Sequence, residues 1–171
     1  ASTFRQMQGR LRTDALTGLD NRDAMLRHIQ SRIEQTRDAR DGKSFCVLFV
    51  DLNKFKSIND TFGHDAGDSV LLEISRRLRG AVRGEDRVGR YAGDEFVLLV
   101  GDVPTREVGE RIRQQIEVVL AAPLELGDEG ERVSAGGAVG LAMYPENGEN
   151  ADELIKYSDR DMYRRKDVAP R

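Results

Sequence analysis

Two segments of this chain place carboxylates where a strand begins or ends. "SFCVLFVD" (44–51) is an apolar run closed by Asp51, and "RYAGDEFVLLV" (90–100) sets Asp94 and Glu95 directly after a glycine. Two aspartates at strand ends beside a tight glycine turn suit Mg²⁺. That ion takes oxygen ligands, usually one or two carboxylates completed by substrate phosphates. The chemistry such a pair points to is metal-assisted phosphoryl transfer. Gly93 lets a ligand approach the backbone closely. Spacing alone leaves a plainer alternative open, in which Asp51 caps the following turn and Asp94 is ordinary hairpin chemistry.

The surrounding elements decide whether these acids can meet. Phe4, Met7 and Leu11 stand at helical spacing, as at the end of a helix entering from upstream. "LTGLDNR" reads as a turn with Asp20 or Asn21 as helix cap, and Met25, Leu26, Ile29 and Ile33 mark one face of the helix that follows. The run before Asp51 suits a central strand covered on both faces. "NDTFGHDAGDS" reads as a loop, followed by a helix with Val70, Leu71, Ile74 and Leu78 on one face. "DRVGRYA" and "EFVLLVG" form a hairpin. Pro104 and Thr105 open another helix carrying Val108, Ile112, Ile116 and Leu120. A small hairpin turning at 127–130, the strand "GGAVGLAMY" and a helix started by Asn150 and Glu153 complete the chain.

The expected fold class is α+β: a ferredoxin-like, palm-type β-α-β-β-α-β core with a central antiparallel sheet flanked by helices. In that arrangement the first strand lies beside the hairpin, so Asp51 and Asp94 converge.

Composition bounds the rest. The 171 residues fit one domain, and 39% hydrophobic residues can supply a core. A net charge of −3 gives no bulk reason to bind nucleic acid. The single cysteine, Cys46, rules out a disulfide within the chain and fits a reducing, cytoplasmic setting; in an apolar strand it is a poor nucleophile. One Cys and two distant histidines make no zinc pattern. No apolar run is long enough to span a membrane. The chain opens on Ala-Ser rather than Met, which reads as a piece of a longer protein.

"RYAGDEF" resembles the signature of the GGDEF family, the diguanylate cyclases. So do "DALTGLDNR" (14–22), "FVDLNKFKSINDTFGHDAGDSVL" (49–71) and "YPENGENADELIKYSDRDMY" (144–163). The resemblance implies a domain over 14–166, with 1–13 the end of an upstream connecting helix and 167–171 a tail. It implies a palm-like fold that condenses two GTP into cyclic di-GMP with release of pyrophosphate. By the same resemblance Asp51, the Leu52 carbonyl and Asp94 hold Mg²⁺ or Mn²⁺, and Glu95 joins Asp51 and Asp94 at the active site. Asn59 and Asp68 match the pair that reads guanine; an aspartate accepts from N1–H and the 2-amino group while an asparagine donates to an acceptor edge. The backbone of Asn53, Lys54 and Phe55 faces the phosphates, with Lys56, Lys166 and Gly93 near them. For Lys56 a solvated surface role stays open. Phe55 reads as core and His64 as structural. Arg83 and Asp86 in "RGED" match an inhibitory site for the cyclic di-GMP product.

Three positions depart from the family pattern. Ala92 replaces the first glycine of the signature, costing backbone strain if φ is positive there and room for GTP if the backbone is extended. Ala138 stands where the family strand has Ser. Pro170 takes the place of an arginine in the tail, with Arg171 one residue later. The expected function is a cyclase that works as a two-fold homodimer, because two GTP must meet head to tail, fused in the full-length protein to sensory and phosphodiesterase domains. The alternative is a weak or inactive domain that binds GTP or cyclic di-GMP and regulates an attached partner.

Overall fold

The computed structural model describes residues 11–39 and 43–168, with side chains through 166. The expected helix at Phe4–Leu11 and the tail at Pro170 and Arg171 lie outside these residues, apart from Leu11, which is in a turn.

Helix α1 (Arg22–Ala39) is started by Asn21, whose Oδ1 accepts from the Ala24 N–H at 2.9 Å. Met25, Ile29 and Ile33 are buried on its inner face, as their spacing requires. Strand β1 (Phe45–Leu52) follows and has six consecutive buried residues from its first.

That unbroken burial has a period-two origin. Cys46, Leu48, Val50 and Leu52 of β1 face one apolar cluster, shared with α3 (His64–Ala81) and α4 (Arg106–Ala121). Phe45, Val47 and Phe49 face a second, shared with α1 and α5 (Ala151–Val168). Strands β2 (Arg87–Ala92), β3 (Glu95–Val100) and β6 (Gly137–Tyr144) complete a sheet of order β2-β3-β1-β6. Every pairing in it is antiparallel. This is the ferredoxin-like order that the sequence predicts, with helices on both faces. The short strands β4 (Leu124–Leu126) and β5 (Glu131–Val133) form a separate ribbon, turning through Gly127 and Gly130 at positive φ.

The segment "NDTFGHDAGDS" is not a loop. It is the second half of helix α2 (Phe55–Phe62) and the first turn of α3, joined at Gly63 with φ +92°. Asp60, Thr61, Asp65, Asp68 and Ser69 sit on exposed helical faces, and one glycine, Gly63, absorbs the change of direction. Asp68 therefore lies inside α3 and does not cap it; Gly63 stands at that position.

Helix α5 covers the free edge of β6. The close approach needs small residues: a Cβ on Gly140 would lie 1.9 Å from the Ser158 carbonyl oxygen. Buried Asp161 closes the edge by accepting the Leu141 N–H at 2.8 Å, and Arg165 bridges Asp161 (2.9 Å) to Glu110 of α4 (2.8 Å). On the opposite face Arg77 of α3 donates to the Val119, Ala122 and Pro123 carbonyls, closing the C-terminal end of α4. Among the described residues no helix is long and apolar enough to cross a membrane.

Candidate active site

The register of β1 and β3 pairs Asp51 with Glu95, and the Leu52 N–H reaches the Asp94 carbonyl at 3.2 Å. The strand end and the hairpin tip therefore meet, and the Asp51 and Asp94 carboxylates are near enough to repel one another. Burial first and the Asp51 charge second push the Asp94 carboxyl above the usual carboxylate range. The same two causes, joined by Asp159 and Asp94, raise Glu95. Asp159 of α5 is itself raised by partial desolvation and by Asp51. Facing these acids is Lys166, whose Nζ lies 2.8 Å from Asp51 Oδ2.

Asp51 thus engages a lysine from the far end of the chain, not the backbone of the turn that follows it. Asp159 is the member that the sequence reading missed. The signal was present: Asp159 and Lys166 are seven residues apart on one helix, so they share a face. Among the described residues no group of three or more His, Cys, Asp or Glu could by itself hold a metal ion. Two carboxylates brought to one corner do fit a hard dication whose remaining ligands come from phosphates and water.

Gly93 and Ala92 are now placed. Ala92 ends β2 opposite Glu95, after an irregularity in the ladder between Arg90 and Ala92. It is exposed, and Asp102 is the only described residue other than glycine with positive φ, so Ala92 carries no left-handed strain. A Cβ on Gly93 would meet nothing within 4 Å, which leaves open space over the turn. Arg90 braces the hairpin: its Nε donates to the Gly93 carbonyl at 2.9 Å and its Nη1 reaches Asp14 at 3.2 Å. Asp14 also accepts from the Thr17 N–H and hydroxyl, so the "DALTGLDNR" turn is a prop for the signature.

The loop after β1 leads into α2, whose N-cap Lys54 makes no side-chain cap. The Asn53 N–H is already used by the Gly136 carbonyl at 3.2 Å. The uncapped N-terminus of α2 offers the amides that remain. Phe55 packs against the core as expected, while Lys56 and His64 are exposed. Asn59, half-buried in α2, packs against Gly67, the residue before exposed Asp68.

Arg83 and Asp86 sit at the other end of β2. Asp86 accepts from the Arg83 N–H at 3.0 Å and the Gly101 N–H at 2.9 Å, so its carboxylate holds the turn together. A cleft of about 270 Å³ beside it is lined by Arg79, Arg83 and Arg87 with Asp20. Cys46 is buried and its thiol is pushed up to about 12 by burial, which removes it as a nucleophile.

A ferredoxin-like sheet with acids at the β1 end and at the β2–β3 tip is a palm-type fold. The family model described as "Diguanylate cyclase, GGDEF domain" matches residues 11–169, and the chain belongs to that family. It is 37% identical over 150 residues to diguanylate cyclase TpbB of Pseudomonas aeruginosa, covering 88% of this chain and 34% of that protein. It is 36% identical over 156 residues to the bifunctional diguanylate cyclase/cyclic di-GMP phosphodiesterase MucR of the same species, covering 90% and 22%. The chain thus spans about a third or less of these curated relatives. A solved sensory box/GGDEF family protein from Caulobacter crescentus superposes with TM-score 0.85 at 32% identity, covering 92% of this chain and 99% of that one.

Proposed function

We propose that this domain is a diguanylate cyclase, joining two GTP into cyclic di-GMP as one half of a two-fold dimer. The observation that carries the reading is the meeting of Asp51 and Asp94 beside the open space over Gly93.

Asp51, Asp94 and the Leu52 carbonyl are the groups that would hold Mg²⁺ or Mn²⁺. When bound, the dication supplies polarisation of the α-phosphate and eases ionisation of the attacking 3′-hydroxyl. Asp68 accepts from guanine N1–H and the 2-amino group, and Asn59 donates to an acceptor on the base. Adenine lacks that pair of donors and forgoes both hydrogen bonds to Asp68. Lys54, Phe55 and Lys56 at the start of α2 cradle the phosphates, and Lys166 leaves Asp51 to meet them. Glu95 borders the same space. In each half-reaction a 3′ oxygen of one GTP attacks the α-phosphorus of the other and pyrophosphate leaves. Two such bonds close the ring. Each copy contributes one GTP, so the facing of two domains supplies proximity. Product feedback at Arg83 and the neighbouring arginine cleft belongs to the same reading, with Asp86 shaping the turn and Arg83 making the contact.

A second reading, a regulatory domain that binds GTP or cyclic di-GMP without turnover, is favoured by Ala92 on the rim of the space over Gly93. GTP titration with and without Mg²⁺ tests the site. The wild type is expected to bind more tightly with Mg²⁺, and Asp94→Asn to lose that increment. An increment retained in Asp94→Asn contradicts the metal site.

A further inference from the structure

We propose that Gly67 is a positioning residue for base recognition. By lacking a side chain it seats the amide oxygen of Asn59 and so leaves the amide NH₂ as the end that faces a base. The inference rests on the guanine-site reading above and adds a residue and a mechanism to it.

Gly67 is the fourth residue of an 18-residue helix and is buried. Its φ lies outside the positive range, so conformational freedom is not why glycine is there. In a helix interior glycine is less favourable than alanine, so something must offset that cost. The three atoms nearest to a side chain at Gly67 all belong to Asn59. A Cβ on Gly67 would lie 1.8 Å from Asn59 Oδ1, 2.8 Å from Cγ and 3.3 Å from Nδ2.

Those distances rank the two ends of the amide. The oxygen is packed over the bare Cα of Gly67, and the nitrogen stands farther off. Asn59 Oδ1 is also buried with no hydrogen-bond partner. An unsatisfied buried oxygen destabilises the fold and is not retained for its own sake. Both costs fall on the one contact that orients Asn59. Local rules broken without a structural return are expected at functional positions.

The contact also links the two base-reading residues. Gly67 precedes Asp68 on α3, and Asn59 lies on α2, across the Gly63 joint. The Gly67 N–H donates to the Gly63 carbonyl at 3.2 Å, which keeps this first turn of α3 closed. A donor from Asn59 and an acceptor from Asp68 are thereby set side by side by a residue that touches no ligand itself.

Because the atom in the way is the tip of a flexible side chain, alanine at 67 moves the amide and spares the fold. This separates the proposal from a purely structural role. In Gly67→Ala the melting temperature is expected to hold or rise by about 2–4 °C from the gain in helix propensity. Affinity for a non-hydrolysable GTP analogue with Mg²⁺, measured by calorimetry, is expected to fall about tenfold, the size of one lost hydrogen bond. Asn59→Ala should lose a similar factor, and Asn59→Ala/Gly67→Ala should bind no more weakly than Asn59→Ala alone. Wild-type affinity in Gly67→Ala, or losses that multiply in the double variant, would overturn the role of Gly67 while leaving the guanine site standing. Unchanged affinity in Asn59→Ala would overturn the guanine site and this inference with it.

Discussion

Asp94 sits at the tip of the β2–β3 hairpin with Asp51 and Glu95 beside it, and the net charge of this corner is unfavourable. Asp94, Glu95 and Asp159 all hold their protons more tightly than free carboxylates, while Lys166 balances Asp51. A raised carboxyl pKa means that the folded chain binds more protons than the unfolded one. Its stabilising share is present in acid and is lost as pH rises from the unfolded value of 3.8 through the raised one. Asp94→Asn is therefore expected to raise the melting temperature of the metal-free domain at pH 7, by no more than about 2–4 °C, with the gain shrinking toward pH 4. A lower melting temperature at pH 7 would show that repulsion does not dominate there. Asp14 has the opposite sign: burial raises it, but hydrogen bonds from Thr17 and the Arg90 guanidinium win and hold it low. The brace under the signature is thus present at neutral pH and lost in strong acid. At this scale the sequence was legible where residue type decides. Asp51, Asp94 and Glu95 were visible as acids near strand ends. Asp159 shares a helical face with Lys166, but that spacing does not by itself say which face of "KYSDRDMYRRK" meets the acids. Its role depends on where α5 crosses the sheet.

The elements show where periodicity suffices and where it fails. The strands and the inner faces of α1, α3 and α4 follow from apolar spacing, because burial on a sheet face enforces it. The reading of 59–69 as a loop failed because turn formers were counted without asking whether they could lie on an exposed helical face. Gly63 alone makes the turn. The link between α5 and β6 was also hidden, since it runs through one carboxylate. Asp161 ties the edge strand to two helices through Leu141 and Arg165. Asp161→Ala leaves the Leu141 N–H unpaired and Arg165 with Glu110 alone, and is expected to destabilise the domain by about 1–3 kcal/mol. Denaturant unfolding measures this, and faster hydrogen exchange at the Leu141 amide locates it. A loss below about 0.5 kcal/mol would mean that the edge is held by packing alone.

At the scale of the whole molecule, the sheet is a partition. One face binds α3 and α4, the other α1 and α5, and the site lies at the end where β1 stops and the hairpin turns. Asn59 and Asp68, proposed to read the base, come from α2 and α3, and Lys166 and Asp159 from α5. No single element carries the site, so it exists only once the sheet order is complete. That order was legible in the strand pattern because a hairpin between two crossover helices has few ways to pair. The proposed reaction adds a second copy that no single chain displays, since two GTP would need two such ends facing each other. The decisive measurement is formation of cyclic di-GMP from GTP and Mg²⁺ by two copies held together through a fused two-fold coiled coil. Cyclic di-GMP is expected from the fused dimer, little from the dilute monomer and none from an Asp94→Asn dimer. No cyclic di-GMP from a wild-type dimer that binds GTP would contradict it and leave a nucleotide-binding regulatory domain.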